Sequence, residues 1–144
     1  MLKVLLGVVI HLALVSAGRV VIPADVTVAN LAWGFSNGGK DNVAGKQLVL
    51  VDLDDASESF IQGLKSQNHI VHCYFSVGTA EPWRPDHNAA VWDQLALGRL
   101  PQFGDEYWLD LTQLPLIKSL MESRFQRAKA KGCDAIEPDN TGKS

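Results

Sequence analysis

Cysteine is scarce in this sequence. Its 144 residues contain two, Cys73 and Cys133, too few for a disulfide framework to stand in for a hydrophobic core. Neither lies in a C-x-x-C pair, and His69, His72 and His87 follow no ligand spacing. No metal centre and no other cofactor is therefore expected. Basic charge is also in short supply, with 13 Lys and Arg against 16 Asp and Glu. No basic patch gathers, which argues against a nucleic-acid partner. Repeats, low-complexity tracts and long charge runs are absent, as in an ordinary globular chain. No Gly-rich phosphate loop follows any apolar run, which disfavours a nucleotide-binding domain. The longest apolar run falls short of the about 20 residues that span a membrane.

That run is at the N-terminus. Lys3 supplies a positive start, Val4 to Leu14 is apolar apart from Gly7 and His11, and Val15-Ser16-Ala17 offers small residues for cleavage. Charge, apolar core and cleavage site in that order are the pattern of a secretory signal peptide. Residues 1–17 are read as that peptide and 18–144 as the mature domain, secreted and without a membrane anchor. Removing Lys3 leaves the remainder one unit more acidic than the whole, whose net charge is −3.

The mature part alternates in period. Leu31 to Phe35 is a short apolar run broken by Ser36-Asn37-Gly38-Gly39, a turn signal. Leu48 to Val51 is continuously apolar, as in a strand buried on both faces. Asp55 with Glu58 forms a candidate capping box for a helix with Phe60, Ile61 and Leu64 on its inner stripe, stopping near Asn68. His69 to Phe75 is expected as the next strand, followed by a long loop from Ser76 to about Gly104. Tyr107 to Leu111 is a short extended piece. Thr112 is a candidate cap for a helix whose Ile117, Leu120, Met121, Phe125 and Ala128 share one face. Arg124, Arg127, Lys129 and Lys131 gather toward its C-terminal end, where cations suit the helix dipole. Gly132 is the expected stop, and Cys133 to Ile136 a further strand. Strands alternating with helices imply a parallel α/β sheet. Cys73 then falls near the C-terminal end of one strand and Cys133 at the start of the next. In adjacent strands that offset is roughly four residues, or about 13 Å. A disulfide needs Cα atoms within about 7 Å, so two free thiols are expected.

The polar residues of interest all follow predicted strands: Ser36-Asn37, Asp52 to Asp55, Ser76 to Asp86, and Glu137 to Asn140. A barrel builds its active site on that face. Four stretches carry a family resemblance. Cys73-Tyr74-Phe75-Ser76-Val77-Gly78 with Glu81-x-Trp83-Arg84-Pro85-Asp86 resembles the signature C-Y-[FI]-S-x-G-x-x-E-x-W-R-x-D. Asp52-Leu53-Asp54-Asp55 resembles D-L-F-D, and Trp108-Leu109-Asp110-Leu111 resembles W-L-D-I. Gly132 to Asn140 resembles G-F-D-G-[VI]-E-P-D-N. In this order they resemble glycoside hydrolase family 114, the endo-α-1,4-polygalactosaminidase-like barrels. The resemblance covers Leu31 to Asn140 and corresponds to the first half of the family domain. It implies α/β architecture as a partial (β/α)8 TIM barrel of roughly four strands, incomplete and inactive alone.

What the resemblance implies for function is hydrolysis of O-glycosyl bonds in an α-linked galactosamine- or galactose-containing polysaccharide. An exo-acting α-galactosidase and a non-catalytic glycan-binding remnant are the alternatives. Asp139 is implied as a catalytic carboxylate, read as the nucleophile, or else it is a structural carboxylate tying its loop. Glycoside hydrolysis uses two carboxyl groups, and the family's other one comes from a later strand. Asp52, Tyr74, Glu81, Trp83, Arg84, Asp110, Glu137 and Asn140 are candidate substrate contacts. Some have a structural alternative: Tyr74 as core packing, Arg84 as a loop tie together with Asp86, Asp110 as a helix cap, and Glu137 as a partner of Arg84. Thr112 stands where many members have Arg, and Asp54 and Cys133 replace usual aromatics. The expected partner is an oligosaccharide or polysaccharide.

Overall fold

The computed structural model describes residues 31–33 and 43–141. The expected signal peptide at 1–17 and the turn at 36–39 lie outside the described residues.

Four strands, β1 (Leu31–Trp33), β2 (Leu48–Asp52), β3 (Ile70–Ser76) and β7 (Ala135–Asp139), form a parallel sheet in the order β1-β2-β3-β7. All five residues of β2 are buried, as its unbroken apolar run requires. The register sets Asp52 beside Tyr74, Tyr74 beside Glu137, and Ser76 beside Asp139. Side chains alternate along a strand, so Tyr74 and Ser76 share a face with Glu137 and Asp139. The opposite face carries Val49, Val51, Val71, Cys73 and Phe75. These pack into one core with Ile61 and Leu64 of α1 (Glu58–Ser66) and with Ile117, Met121 and Ala128 of α3 (Leu114–Lys131). Each buried Val, Leu, Ile, Phe or Met among them contributes about 1.5–3 kcal/mol on burial. The helices thus anchor one face and leave the carboxylate-bearing face clear of them.

The helix ends differ from expectation in instructive ways. Ser57, not Asp55, caps α1, its Oγ accepting from the Phe60 amide at 3.1 Å. The Asp54 and Asp55 amides instead donate to Asp52 Oδ1, at 2.9 and 3.2 Å. Asp52 therefore turns the chain off β2 before the helix can begin. Asn68 closes the helix with φ 65°. At α3 Thr112 does not cap the helix: its amide and hydroxyl donate to Asp110 Oδ1, at 3.0 and 2.6 Å. Gln113 is the N-cap residue, without a side-chain cap bond, and Pro115 occupies the first turn. Gly132 ends α3 in the left-handed conformation, φ 85°. Arg124, expected at the dipole end, is instead 1 % exposed inside the fold.

The stretch expected as a long loop is structured. It carries β4 (Thr79–Ala80), α2 (Ala89–Leu95) and β5 (Ala96–Arg99), and with β6 (Tyr107–Leu109) makes a second, antiparallel sheet in the order β4-β6-β5. Asn88 caps α2 through its Oδ1, 3.0 Å from the Ala90 amide, and Trp92 and Leu95 are buried. Strands of two to four residues are too short to show alternation, so they leave no periodic signal in the sequence.

Cys73 and Cys133 are disulfide-bonded, with Cα atoms 5.9 Å apart. This corrects the expectation of free thiols, which treated Cys133 as the first residue of a straight strand. Cys73 is in register with Ile136, so an extended Cys133 would lie about 10 Å along the strand, at about 3.3 Å per residue. Cys133 is instead in the turn leaving α3, its amide bonded back to the Ala128 carbonyl, and it packs against the helix-side core. The chain thus reaches the sheet from the helix layer, on the face that Cys73 occupies. The bond closes a sequence separation of 60 residues. Its reduction is expected to lower stability by about 2–4 kcal/mol, read by urea unfolding with and without reductant. Two titratable thiols in denatured, unreduced protein would contradict the pairing.

Candidate active site

The C-terminal ends of β2, β3 and β7 bring Asp52, Ser76 and Asp139 to one edge of the sheet. Asp139, the last residue of β7, is exposed. Its Oδ1 accepts from the Asn140 amide at 2.7 Å and its Oδ2 from the Tyr74 hydroxyl at 3.1 Å. Burial, with the Asp139 and Glu81 carboxylates nearby, pushes the Tyr74 pKa upward, so the hydroxyl keeps its proton and donates. Hydrogen bonds to an ionised carboxylate are among the strong ones. The two donors together fix its orientation.

Asn140 is itself held in an unusual conformation, φ 59°. Its Nδ2 donates to Ser76 Oγ at 3.0 Å and Thr79 Oγ1 at 3.3 Å. Its carbonyl sits against Gly78, where an added Cβ would lie 1.8 Å from the oxygen. The Val77 amide donates to the Asp139 carbonyl at 2.9 Å. Gly78 therefore serves by taking no room, and the turn between β3 and β4 is stitched to the end of β7.

Around this lie two buried arginine clusters. Arg84 donates from Nε and Nη2 to Glu81 at 3.0 and 2.9 Å, and from Nη1 to Asp52 at 2.6 Å, with Asp54 at 3.6 Å. Burial alone would lower the Arg84 pKa, but the hydrogen bonds to Asp52 and Glu81 more than offset it and raise it. Arg124 grips Asp86 with Nε and Nη2 at 2.8 and 3.0 Å, donates from Nη1 to the Ser76 carbonyl, and lies 4.8 Å over the Trp92 ring. Arg127 bridges Asp86 and Asp54, both at 3.1 Å. Burial first acts to raise the Asp86 pKa, but Arg124 and Arg127 outweigh it and hold the carboxyl below its usual range. Glu106 is also buried and accepts from Thr79 Oγ1 at 3.1 Å. Burial, with Glu81 and Asp139 adding to it, pushes its pKa up against the Thr79 hydrogen bond.

The structure thus brings Asp139, Tyr74 and Asn140 into one constellation. Asp52, Glu81 and Arg84 stand beside it as a mutually paired, buried support. Glu137 shares the face of Asp139 and is exposed. The pairing of Glu137 with Arg84 that the sequence left open is not formed, because Arg84 is taken by Glu81 and Asp52. Trp83 is 58 % exposed on the loop after β4. Asp110 is exposed at the start of α3, where hydrogen bonds from Thr112 lower its pKa. Among the described residues, no group of three or more His, Cys, Asp or Glu is placed to hold a metal ion.

The glycoside-hydrolase family GH114 model matches residues 16–143. The chain belongs to this family. Among solved structures it is similar to Ega3 of Aspergillus fumigatus, solved in complex with galactosamine. The identity is 30 % and the TM-score 0.67, over 76 % of this chain and 42 % of that one. It also shares the fold of the glycoside hydrolase domain of PelA from Pseudomonas aeruginosa, at 16 % identity and TM-score 0.57, over 76 % of this chain and 44 % of that one. The chain therefore spans less than half the length of these two structures. No match is found among curated proteins.

Three buried features beside Asp139 escaped the sequence reading: Thr79, Glu106 and the inward position of Arg124. Glu106 follows Gly104-Asp105 and looks like part of a solvated turn. Arg124 sits at helical spacing with the apolar stripe, a signal that reads equally as surface charge. Its partner Asp86 lies far away in sequence.

Proposed function

We propose that this chain forms one side of the substrate cleft of a glycosidase acting on galactosamine-containing polysaccharide. Asp139 is its catalytic carboxylate, in the role of nucleophile. The observation that carries this reading is the exposed Asp139 carboxylate held between two donors, Tyr74 and Asn140, at the C-terminal edge of a parallel sheet. Membership of GH114 and likeness to a structure holding galactosamine support it. The sheet is read as roughly the first four strands of a (β/α)8 barrel, with the face bearing Tyr74, Glu137 and Asp139 turned inward. Glu137 and the exposed Trp83 are the substrate contacts this arrangement offers. A carboxylate-rich mouth suits an amino sugar, which is cationic when not acetylated. Glu81 and Glu106 are buried and already bonded, so neither serves as the second carboxyl that glycoside hydrolysis uses. Secretion after removal of residues 1–17 belongs to the same proposal, on the strength of Lys3, the apolar run and Val15-Ser16-Ala17.

One experiment covers both parts. Protein recovered from the culture medium should begin at Gly18, and a form that carries the complete barrel should shorten α-1,4-linked galactosamine oligomers to a ladder of products. Release of monomer alone would select an exo-acting enzyme. Binding without any cleavage would replace the hydrolase by a glycan-binding module. Retention in cells with Met1 intact would overturn the secretory part.

A further inference from the structure

A chain of hydrogen bonds links the buried Glu106 to the backbone of the Asp139 loop. Thr79 Oγ1 donates to Glu106 Oε2 at 3.1 Å, which uses the only proton that hydroxyl has. The contact between Ser76 Oγ and Thr79 Oγ1 must then run from Ser76 to Thr79. With its proton spent there, Ser76 Oγ can only accept, and it does so from the Thr79 amide at 3.1 Å and from Asn140 Nδ2 at 3.0 Å. Asn140 Nδ2 reaches Thr79 Oγ1 as well, at 3.3 Å. Every proton in the series thus points toward Glu106. Ser76 and Thr79 are fully buried, so water offers no alternative partner.

The far end of the series is where the chemistry lies. The Asn140 side chain is tethered to Ser76 and Thr79, and the residue sits at φ 59°, a region that Asn enters more readily than most non-Gly residues. The peptide joining Asp139 to Asn140 carries the amide that meets Asp139 Oδ1 at 2.7 Å. The Val77 amide holds the carbonyl of that peptide at 2.9 Å and the tether holds its Asn140 end, so losing the tether lets the peptide tilt its N–H away from Oδ1.

We propose that Glu106 is a positioning residue, acting through Thr79 and Ser76 on Asn140 and so setting the orientation of the Asp139 carboxylate. This rests on the reading of Asp139 as catalytic. Glu106 touches no substrate in this scheme. It serves as the terminal acceptor that gives the hydroxyl chain its direction. A misplaced reacting group of about 1 Å costs about 100-fold in rate, so a partial loosening of one of two donors should cost about tenfold.

The test uses two breaks and one repair. Glu106→Leu removes the acceptor, Thr79→Val removes the middle hydroxyl at constant shape, and Glu106→Gln keeps an acceptor oxygen. Amide hydrogen exchange at Asn140, followed by NMR on the folded protein, is the first readout and does not depend on activity. Exchange should quicken at least tenfold in Glu106→Leu and in Thr79→Val, and return toward the parent rate in Glu106→Gln. The second readout is hydrolysis of galactosamine oligomers by a form that carries the complete barrel, where both breaks should lower kcat about tenfold with KM within twofold. Their combination should cost no more than either alone. Unchanged Asn140 exchange in Thr79→Val, whose fold is checked by circular dichroism, would overturn the relay. Equal losses in kcat for Glu106→Gln and Glu106→Leu would overturn the acceptor role. If Asn140 responds as expected while Asp139→Asn keeps full activity, the catalytic reading is what fails, and Glu106 then has no part in catalysis.

Discussion

Arg84→Met should destabilise the fold by about 3–5 kcal/mol. The methionine is apolar and about as long, so little packing volume is lost. What is lost is the cation that neutralises Glu81 and Asp52, which are 3 % and 6 % exposed. A buried carboxylate stripped of its partner carries its desolvation cost without compensation. Asp52 retains the amides of Asp54 and Asp55, whereas Arg84 supplies the hydrogen bonds to both oxygens of the Glu81 carboxylate. Glu81 should therefore account for the larger share. Adding Glu81→Gln to Arg84→Met should recover part of the loss. Urea unfolding is the measurement. A change of less than about 1 kcal/mol would mean that these carboxylates are solvated in a way their burial does not suggest.

In a form that carries the complete barrel, Asp139→Asn should leave the fold intact and remove nearly all hydrolysis. The residue is exposed and ends a strand, and exposed substitutions usually stay within about 0.5 kcal/mol. The amide keeps an oxygen for the Asn140 amide to donate to. What it cannot do is attack an anomeric carbon or carry the negative charge that stabilises one. A loss of about 1000-fold or more in kcat is expected, equivalent to about 4 kcal/mol of transition-state stabilisation. KM should change little, because sugar hydroxyls can bond an amide nearly as well as a carboxylate. Steady-state kinetics on galactosamine oligomers, beside thermal unfolding of both proteins, decides it. Full activity at position 139 with Asn would move the site elsewhere on the sheet.

The parallel sheet could be read in the sequence because its strands are apolar and continuous. Leu48 to Val51 and His69 to Phe75 stand out against their surroundings, and Gly132 marks the end of α3 by the conformation only glycine adopts cheaply. The E-P-D-N stretch could be placed at a strand end for the same reason. The insertion between β3 and α3 could not be read. Its strands are short, and their pairing is decided by β6, which lies after them in the chain. The cap of α1 was misread because Asp55 and Ser57 are both good capping residues, and only the Asp52 turn shows that the first of them is used up before the helix begins. Arg124 shows a more general limit. Spacing sets it beside the apolar stripe, yet whether a buried arginine is tolerable depends on Asp86 arriving from another element. Glu106 has the same difficulty, since its importance lies wholly in what it accepts from Thr79.

The cystine has a consequence for connectivity. It joins β3 to the turn that leads into β7, and the antiparallel insertion and α3 lie inside the ring it closes. Tyr74 follows Cys73 within that ring, and Asp139 lies six residues beyond Cys133, outside it. A protease that cuts the backbone within the insertion therefore does not release a fragment. The two pieces stay covalently attached beside the strands that carry the hydroxyl and the carboxylate, and β3 and β7 keep their register. Exposed loop tips such as the one around Phe103, 57 % exposed, can thus be nicked while the pairing of Tyr74 with Asp139 survives in a two-piece molecule.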